Sequence, residues 1–190
     1  MIEFIKETHT YLVDGVLTPS ATTVLKETIF SNKYANIPQY ILDKAAEFGT
    51  NVHLAIEIND YLHLNDVEYQ VFDKYLKLVK TENIKPIQHE LMVNYGFSYA
   101  GTLDMIGEVD GVLSLIDVKT TSILDKEYLS WQLSLYEMAY CKMYGSRPFE
   151  KFYAIWLPKR GNAKLTEIER KSETEIMELI RLYEDSCKQS

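Results

Sequence analysis

Apolar residues recur along this chain with two periods, and the switch between them separates predicted helices from predicted strands. Thr10-Tyr-Leu-Val-Asp14-Gly15-Val-Leu-Thr18 sets two apolar runs around an Asp-Gly pair, the pattern of a β-hairpin. Pro19-Ser20 ends it, and Ser20 can cap a short helix through Thr23, Val24 and Leu25. After Pro38, the residues Ile41, Leu42, Ala45, Phe48, Val52, Ala55 and Ile56 follow helical spacing, with Gly49 a candidate kink. Residues 67–79 read as a second amphipathic helix. From residue 87 the period falls to two, and strands are predicted over 87–95, 98–109 and 112–119, the last two joined by Asp110-Gly111. A helix over 126–144, a strand over 149–157 closed by Pro158, and a charged helix over 167–187 complete the chain. Lys159-Arg160-Gly161-Asn162 is the most basic short stretch and reads as a loop. The order helix, three antiparallel strands, helix, strand, helix predicts a mixed α/β (α+β) fold, a central sheet with helices packed on its faces.

The second predicted hairpin carries the chemistry. If Asp110-Gly111 is a two-residue turn, Val109 faces Val112 and paired residue numbers sum to 221. Asp104 and Asp117 satisfy that sum, which puts two carboxylates on one face with β-carbons roughly 4.5 to 5.5 Å apart. Facing carboxylates repel, and burying either is costly, so a cation is the natural third partner. Lys119, two residues on, shares the face of Asp117 and lies opposite Thr102. The same register sets Leu103 against Val118, Met105 against Ile116 and Ile106 against Leu115, so both faces are largely apolar, as in a strand covered on each side. A bulge at Gly107 is the feature that would shift this register. Taken alone, Asp-x-Lys also fits an edge-strand ion pair with a solvated Asp104; the pairing and its apolar flanks argue for a site. Glu90, on the preceding strand, falls opposite the segment 101–103 for a turn of two or three residues near Tyr95-Gly96-Phe97, on an undetermined face.

Length and composition narrow the setting. The 190 residues suit one well-buried domain, and 46% hydrophobic with 25% charged residues is ordinary for a folded protein. No apolar run reaches the roughly 20 residues of a membrane span, and the start has no secretory segment, so a cytoplasmic protein is expected. Cys141 and Cys187 cannot by themselves build a disulfide framework, a zinc site or an iron–sulfur cluster. The net charge of −8 argues against coating nucleic acid by electrostatics alone. His89-Glu90 is not followed by a histidine at zinc-protease spacing, and neither a Gly-x-Ser-x-Gly elbow nor a Walker-type phosphate loop is present, so covalent hydrolysis and ATP-driven unwinding have no support.

Gly101-Thr-Leu-Asp104 followed by Leu115-Ile-Asp117-Val-Lys119-Thr120 resembles the core of the PD-(D/E)XK nuclease superfamily in its RecB-type and phage exonuclease-like form. Phe48-Gly49-Thr-Asn-Val-His53 resembles that subfamily's histidine motif, and Gln132-Leu-Ser-Leu-Tyr136 its Gln-x-x-x-Tyr motif. His9-Thr-Tyr-Leu-Val-Asp-Gly leading to Pro19-Ser20 resembles the opening of many phage members. The proline of the name is absent, Leu103 standing before Asp104, as is usual in that subfamily. The resemblance implies a restriction-endonuclease-like core over residues 38–157, preceded by the hairpin and short helix of 1–30 and followed by the helix of 166–187. It implies Mg²⁺ or Mn²⁺ held by Asp104, Asp117, the Val118 carbonyl and His53, hard cations suited to oxygen ligands with the imidazole favouring manganese. Lys119 would position the attacking water and stabilise charge on the phosphate. Glu90 would add a metal or water ligand; the alternative is a solvent-facing glutamate. Gln132 and Tyr136, spaced i, i+4, would reach the site or the DNA backbone, against the alternative that Tyr136 is core with Leu129, Leu133 and Tyr140.

The activity implied is hydrolysis of DNA phosphodiesters from ends, in phage-type recombination, replication or repair. An endonuclease with the same core is the nearest rival. A weakly catalytic DNA-binding module that recruits recombination or single-strand-binding partners is the rival from another class, and a homo-oligomer assembling loops such as Lys159-Arg160 around DNA would offset the acidic charge.

Overall fold

Both Asp-Gly pairs adopt the conformation a two-residue hairpin requires. Asp14 and Gly15 have φ of 49° and 80°, and Asp110 and Gly111 50° and 80°, the left-handed values of a type I′ turn. The computed structural model describes residues 1–5, 8, 10–31 and 37–188, and these turns organise its two sheets.

The first sheet is antiparallel and contains β1 (Ile2–Ile5), β2 (Thr10–Val13) and β3 (Val16–Thr18). The hairpin β2–β3 is as expected; β1 is an addition, a four-residue edge strand paired from Ile2↔Val13 to Ile5↔Thr10. Ser20 caps α1 (Ala21–Glu27) by accepting from the Thr23 amide at 2.9 Å, as its position predicts.

The second sheet runs β4 (Ile84–Tyr95), β5 (Tyr99–Val109), β6 (Val112–Lys119), β7 (Lys151–Trp156) and β8 (Lys164–Ile168) in that spatial order. Only β6 and β7 are parallel, joined through α4 (Lys126–Tyr144). This is the restriction-endonuclease-like α/β arrangement expected. The strand β8 replaces part of the predicted loop and helix start: Lys-Leu-Thr-Glu-Ile is short and polar, and its partner Phe152–Trp156 selects the extended form. The last helix, α5 (Glu173–Lys188), therefore begins six residues later than the predicted 167. A Ser-x-x-Glu box sets its start, with Ser172 Oγ accepting from the Glu175 amide at 3.3 Å and Glu175 Oε2 accepting from the Ser172 amide at 2.8 Å.

Helix α2 (Gln39–Ile58) is unbroken at Gly49. A Cβ there would lie 3.4 Å from Thr120 Oγ1, so this glycine lies against the residue that follows β6 and does not bend the helix. Asn65 caps α3 (Asp66–Thr81) in a capping box with Glu68, and Glu68 Oε1 also accepts from Asn51 Nδ2 of α2 at 2.9 Å. That bond fixes α2 against α3.

Helices α1, α4 and α5 cover one face of the large sheet, packing on Leu103, Ile106, Leu115, Phe152 and Ala154. The other face has two covers. Helices α2 and α3 pack on Met105, Val109, Ile116, Val118 and Ile155, while the small sheet packs through Tyr11 and Val13 on Ala100. Among the described residues no helix is long and apolar enough to cross a membrane. Because Gly111 has φ of 80°, Gly111→Ala should lower the unfolding free energy by about 1 to 2 kcal/mol, measured by urea denaturation; an unchanged midpoint would contradict the turn.

Candidate active site

The register summing to 221 holds from Val109↔Val112 to Met105↔Ile116, with Gly107 in line opposite Ser114; the bulge at this level lies on the other side of β5, between Pro86 and Gln88 of β4. The register stops one residue short of the two aspartates. Asp104 and Asp117 are not a backbone pair, because the Asp104 carboxylate takes the donor that continued pairing would use: Oδ2 accepts from the Val118 amide at 2.8 Å. The strands part at that point. Leu103, expected beside Val118, instead joins the core under α4, while Met105 lies in the core under α2 and α3. The side-chain alternation of β5 is thus reset at Asp104.

On the neighbouring strand the same reset is visible in the backbone. His89↔Met105 and Leu91↔Leu103 are paired, which leaves Glu90 facing Asp104. That is one position past the expected 101–103, since the three-residue turn is Gly96-Phe97-Ser98, closed by Tyr95 and Tyr99, and not Tyr95-Gly96-Phe97. Glu90 has φ of 49°, a left-handed conformation costly for a non-glycine residue and concentrated at functional sites. It turns the carboxylate toward Asp104 on the face shared with α2. There His53 Nδ1 lies 3.7 Å from Asp104 Oδ2, and His53, Glu90 and Asp104 each offer a ligand atom within 4.8 Å of the others.

Asp117 and Lys119 stand behind this trio as a buried pair. Lys119 Nζ donates to Asp117 Oδ1 at 2.9 Å and lies 2.8 Å from Oδ2. Oδ2 is buried and makes no hydrogen bond of its own, with the Lys119 ammonium its partner of opposite charge. The two carboxylates and the imidazole of the trio are donors for a hard divalent cation that tolerates nitrogen, so the residues present fit a metal ion.

The match to the family model described as the PD-(D/E)XK nuclease superfamily extends over residues 63–189, about two thirds of the chain. The chain belongs to the PD-(D/E)XK nuclease superfamily. No curated protein matches it. Among solved structures, SSO0001 is similar at 14% identity over 91% of this chain and 76% of that one, with a TM-score of 0.45. A candidate exonuclease from Eubacterium rectale is similar at 10% identity over 76% of this chain and 65% of that one, with a TM-score of 0.49.

In this PD-(D/E)XK chain the buried charges shape one another. Burial raises Glu90, and Asp104, Glu57 and Asp117 add to it, taking its carboxyl from the ordinary 4.5 to about 7. Burial likewise pushes Asp117 up against the opposing pull of Lys119. Burial disfavours the Lys119 ammonium, but Asp117 and Asp104 outweigh it and hold the proton more firmly than on an ordinary lysine.

Gln132 and Tyr136 share a face of α4, with Gln132 Nε2 donating to Tyr136 Oη at 3.0 Å. Both are buried, and Gln132 Oε1 accepts no hydrogen bond. Their place is behind the carboxylates: the Tyr136 ring crosses β5 where Gly101 has no side chain, and a Cβ at Gly101 would fall inside that ring's contact distance. The N-terminal sheet supplies a residue that sequence reasoning missed. The hydroxyls of Tyr11 and Thr102 share a hydrogen bond at 2.9 Å, and Ala100 donates to the Pro19 carbonyl at 2.8 Å. The signal was the tyrosine of the Thr10–Gly15 stretch; His9, which opens that motif, lies outside the described residues.

Two outcomes follow from these contacts. Folded protein keeps the Glu90 proton up to about pH 7, whereas the unfolded chain releases it above the ordinary 4.5, so metal-free stability falls as pH rises through that window. In EDTA the melting temperature of Glu90→Gln should therefore exceed that of the unsubstituted protein by a margin that grows from about pH 5 to about pH 8; parallel melting curves across pH would refute the assignment. Gly101→Ala should displace the Tyr136 ring and cost about 1 to 3 kcal/mol by overpacking, while Tyr136→Phe, which keeps the ring, stays nearer the original stability in chemical denaturation.

Proposed function

We propose that this nuclease hydrolyses DNA phosphodiester bonds with the help of Mg²⁺ or Mn²⁺, working inward from DNA ends. The observation that carries the reading is the convergence of His53, Glu90 and Asp104 within 4.8 Å of one another, beside the buried Asp117–Lys119 pair. His53, Asp104, Asp117 and the Val118 carbonyl hold the ion, with Glu90 as a further ligand or as the group that holds the attacking water. The ion, when bound, polarises the phosphodiester as a Lewis acid.

The chain's own residues supply the rest. Glu90, which faces Asp104 across the β4–β5 ladder, is placed to hold the attacking water and take its proton. Lys119 stays protonated and places a fixed positive charge where the phosphate gains negative charge. Asp117 anchors that ammonium. Tyr136 and Gln132 brace the carboxylates from the α4 side and orient the strand that enters.

The preference for ends comes from the resemblance to phage exonucleases, as does a role in phage-type recombination, replication or repair. The small sheet is tied to β5 beside the carboxylates through Tyr11–Thr102 and Pro19–Ala100. The test is digestion of end-labelled linear and covalently closed circular DNA with Mg²⁺, Mn²⁺ or EDTA. Linear DNA should be degraded from its ends, the circle should persist, and EDTA should stop the reaction. Lys119→Ala should lower the rate by about 10² to 10³, the effect of removing one positioned charge-stabilising group, and Asp117→Ala should do the same or more. A circle cut as fast as the linear duplex would make the protein an endonuclease; full cleavage by both variants would overturn the assigned chemistry.

A further inference from the structure

The DNA reading leaves open what holds a polyanion against a chain of net charge −8. From Lys151 to Thr166 the chain carries four cations, Lys151, Lys159, Arg160 and Lys164, and no Asp or Glu. Lys151 is engaged with Glu167 at 2.9 Å. Lys159, Arg160 and Lys164 are exposed and form no ion pair among the described residues. Other cations also lack an ion pair among the described residues, Lys85 and Arg181 among them, so what sets this loop apart is three such cations within a stretch that has no acidic residue.

The topology puts these free cations at the reactive end of the sheet. Leu157 donates to the Lys119 carbonyl at 2.7 Å, so Lys159 begins within about 7 Å of backbone from the residue bonded to Lys119. Lys119↔Trp156 and Trp156↔Lys164 are register partners, which sets Lys164 two strand spacings, roughly 10 Å, from Lys119.

The loop between them is also braced. Lys74 Nζ donates to the Pro158 and Lys159 carbonyls at 2.9 and 3.2 Å. The Lys159 ammonium rests over the Phe48 ring at 3.8 Å, and Phe48 lies on the helix that carries His53. Lys164 lies over Trp156 at 5.9 Å, and the Trp156 indole N–H donates to the Thr121 carbonyl at 2.7 Å. Cations held in place before a ligand arrives lose little freedom on binding it.

We propose that the β7–β8 loop, through Lys159, Arg160 and Lys164, is a phosphate rail that holds the backbone of the DNA strand leading to the catalytic carboxylates. This rests on the DNA reading above and adds where the strand lies. The test is anisotropy of a labelled single-stranded oligonucleotide with Ca²⁺ in place of Mg²⁺, a hard cation for the same carboxylates, over a range of salt, alongside KM for cleavage in Mg²⁺. The triple variant Lys159→Gln, Arg160→Gln, Lys164→Gln should bind roughly tenfold more weakly, and its plot of log affinity against log salt should be shallower by about 2, at about 0.7 per lost phosphate contact. KM should rise more than kcat falls. The metal-induced rise in melting temperature should persist, which shows an intact fold; if the triple variant does not fold, each single variant should make the slope shallower by about 0.7. Lys159→Arg should bind as the unsubstituted protein does, and so should Lys85→Gln, at the opposite end of the sheet. Unchanged affinity, slope and KM in the triple variant, with cleavage intact, would overturn the rail and leave the nuclease reading standing. Rail-dependent binding with no cleavage in Mg²⁺ or Mn²⁺ would do the reverse, and an unsubstituted protein that binds no oligonucleotide would overturn both.

Discussion

The hydrogen bond from the Val118 amide to the Asp104 carboxylate, 2.8 Å long, stands where a ladder bond between β5 and β6 would otherwise form. Pairing can end inside a sheet only if the freed amide finds another acceptor, since an orphaned buried N–H is destabilising by about the value of a lost hydrogen bond. Asp104 provides one and is thereby fixed in place. With the strands parted, one oxygen of Asp104 is bound to the backbone while its carboxylate still faces His53 and Glu90. The left-handed turn of Glu90 is the same accommodation on β4, where the residue opposite Asp104 leaves the ladder as well.

Everything around this break keeps it from closing. On one side α4 presses Tyr136 through the gap at Gly101 and supports the strand from behind. On the other side two separate covers share one face, α2 with α3 over one end and the small N-terminal sheet over the other. His53 enters from the first cover and Tyr11 from the second. Neither cover has to be interrupted to expose the carboxylates, because the sheet beneath them is interrupted.

Much of this was legible in the amino-acid sequence, and the part that was not has a common cause. Asp110-Gly111 dictates its turn, the turn dictates five in-register pairs, and those pairs bring Asp104 and Asp117 toward one another. Periodicity assumes that the ladder continues, so it could not show that a side chain would replace a backbone acceptor at residue 118 or that Leu103 would change faces. Glu90 was displaced by one position because the β4–β5 turn is Gly96-Phe97-Ser98, one residue later than its glycine suggested. The strands β1 and β8 are too short and polar to announce themselves, and they form because a neighbouring edge offers partners. The Ser172-x-x-Glu175 box, by contrast, was readable and places the start of α5 where it is. Gln132 and Tyr136 share the helical face their spacing implies, although burial sets them behind the carboxylates. Tyr11 is brought to the site only by tertiary packing.

The acidity of the chain and a polyanionic substrate are reconciled at the same place. Glu90, Asp104 and Asp117 repel one another without a cation, which is why burial lifts Glu90 and Asp117 so readily toward the neutral form. They would repel a phosphate too. On the proposed reading a divalent ion removes both objections together: it offsets the repulsion among these carboxylates, and it converts a locally negative cleft into one that attracts phosphate. Ion and DNA then favour each other's binding, by the reciprocity that any coupled pair of ligands obeys. A positive net charge is not needed for that coupling. It needs acidic groups concentrated where the ion sits and a few cations, free of acidic partners, where the strand approaches.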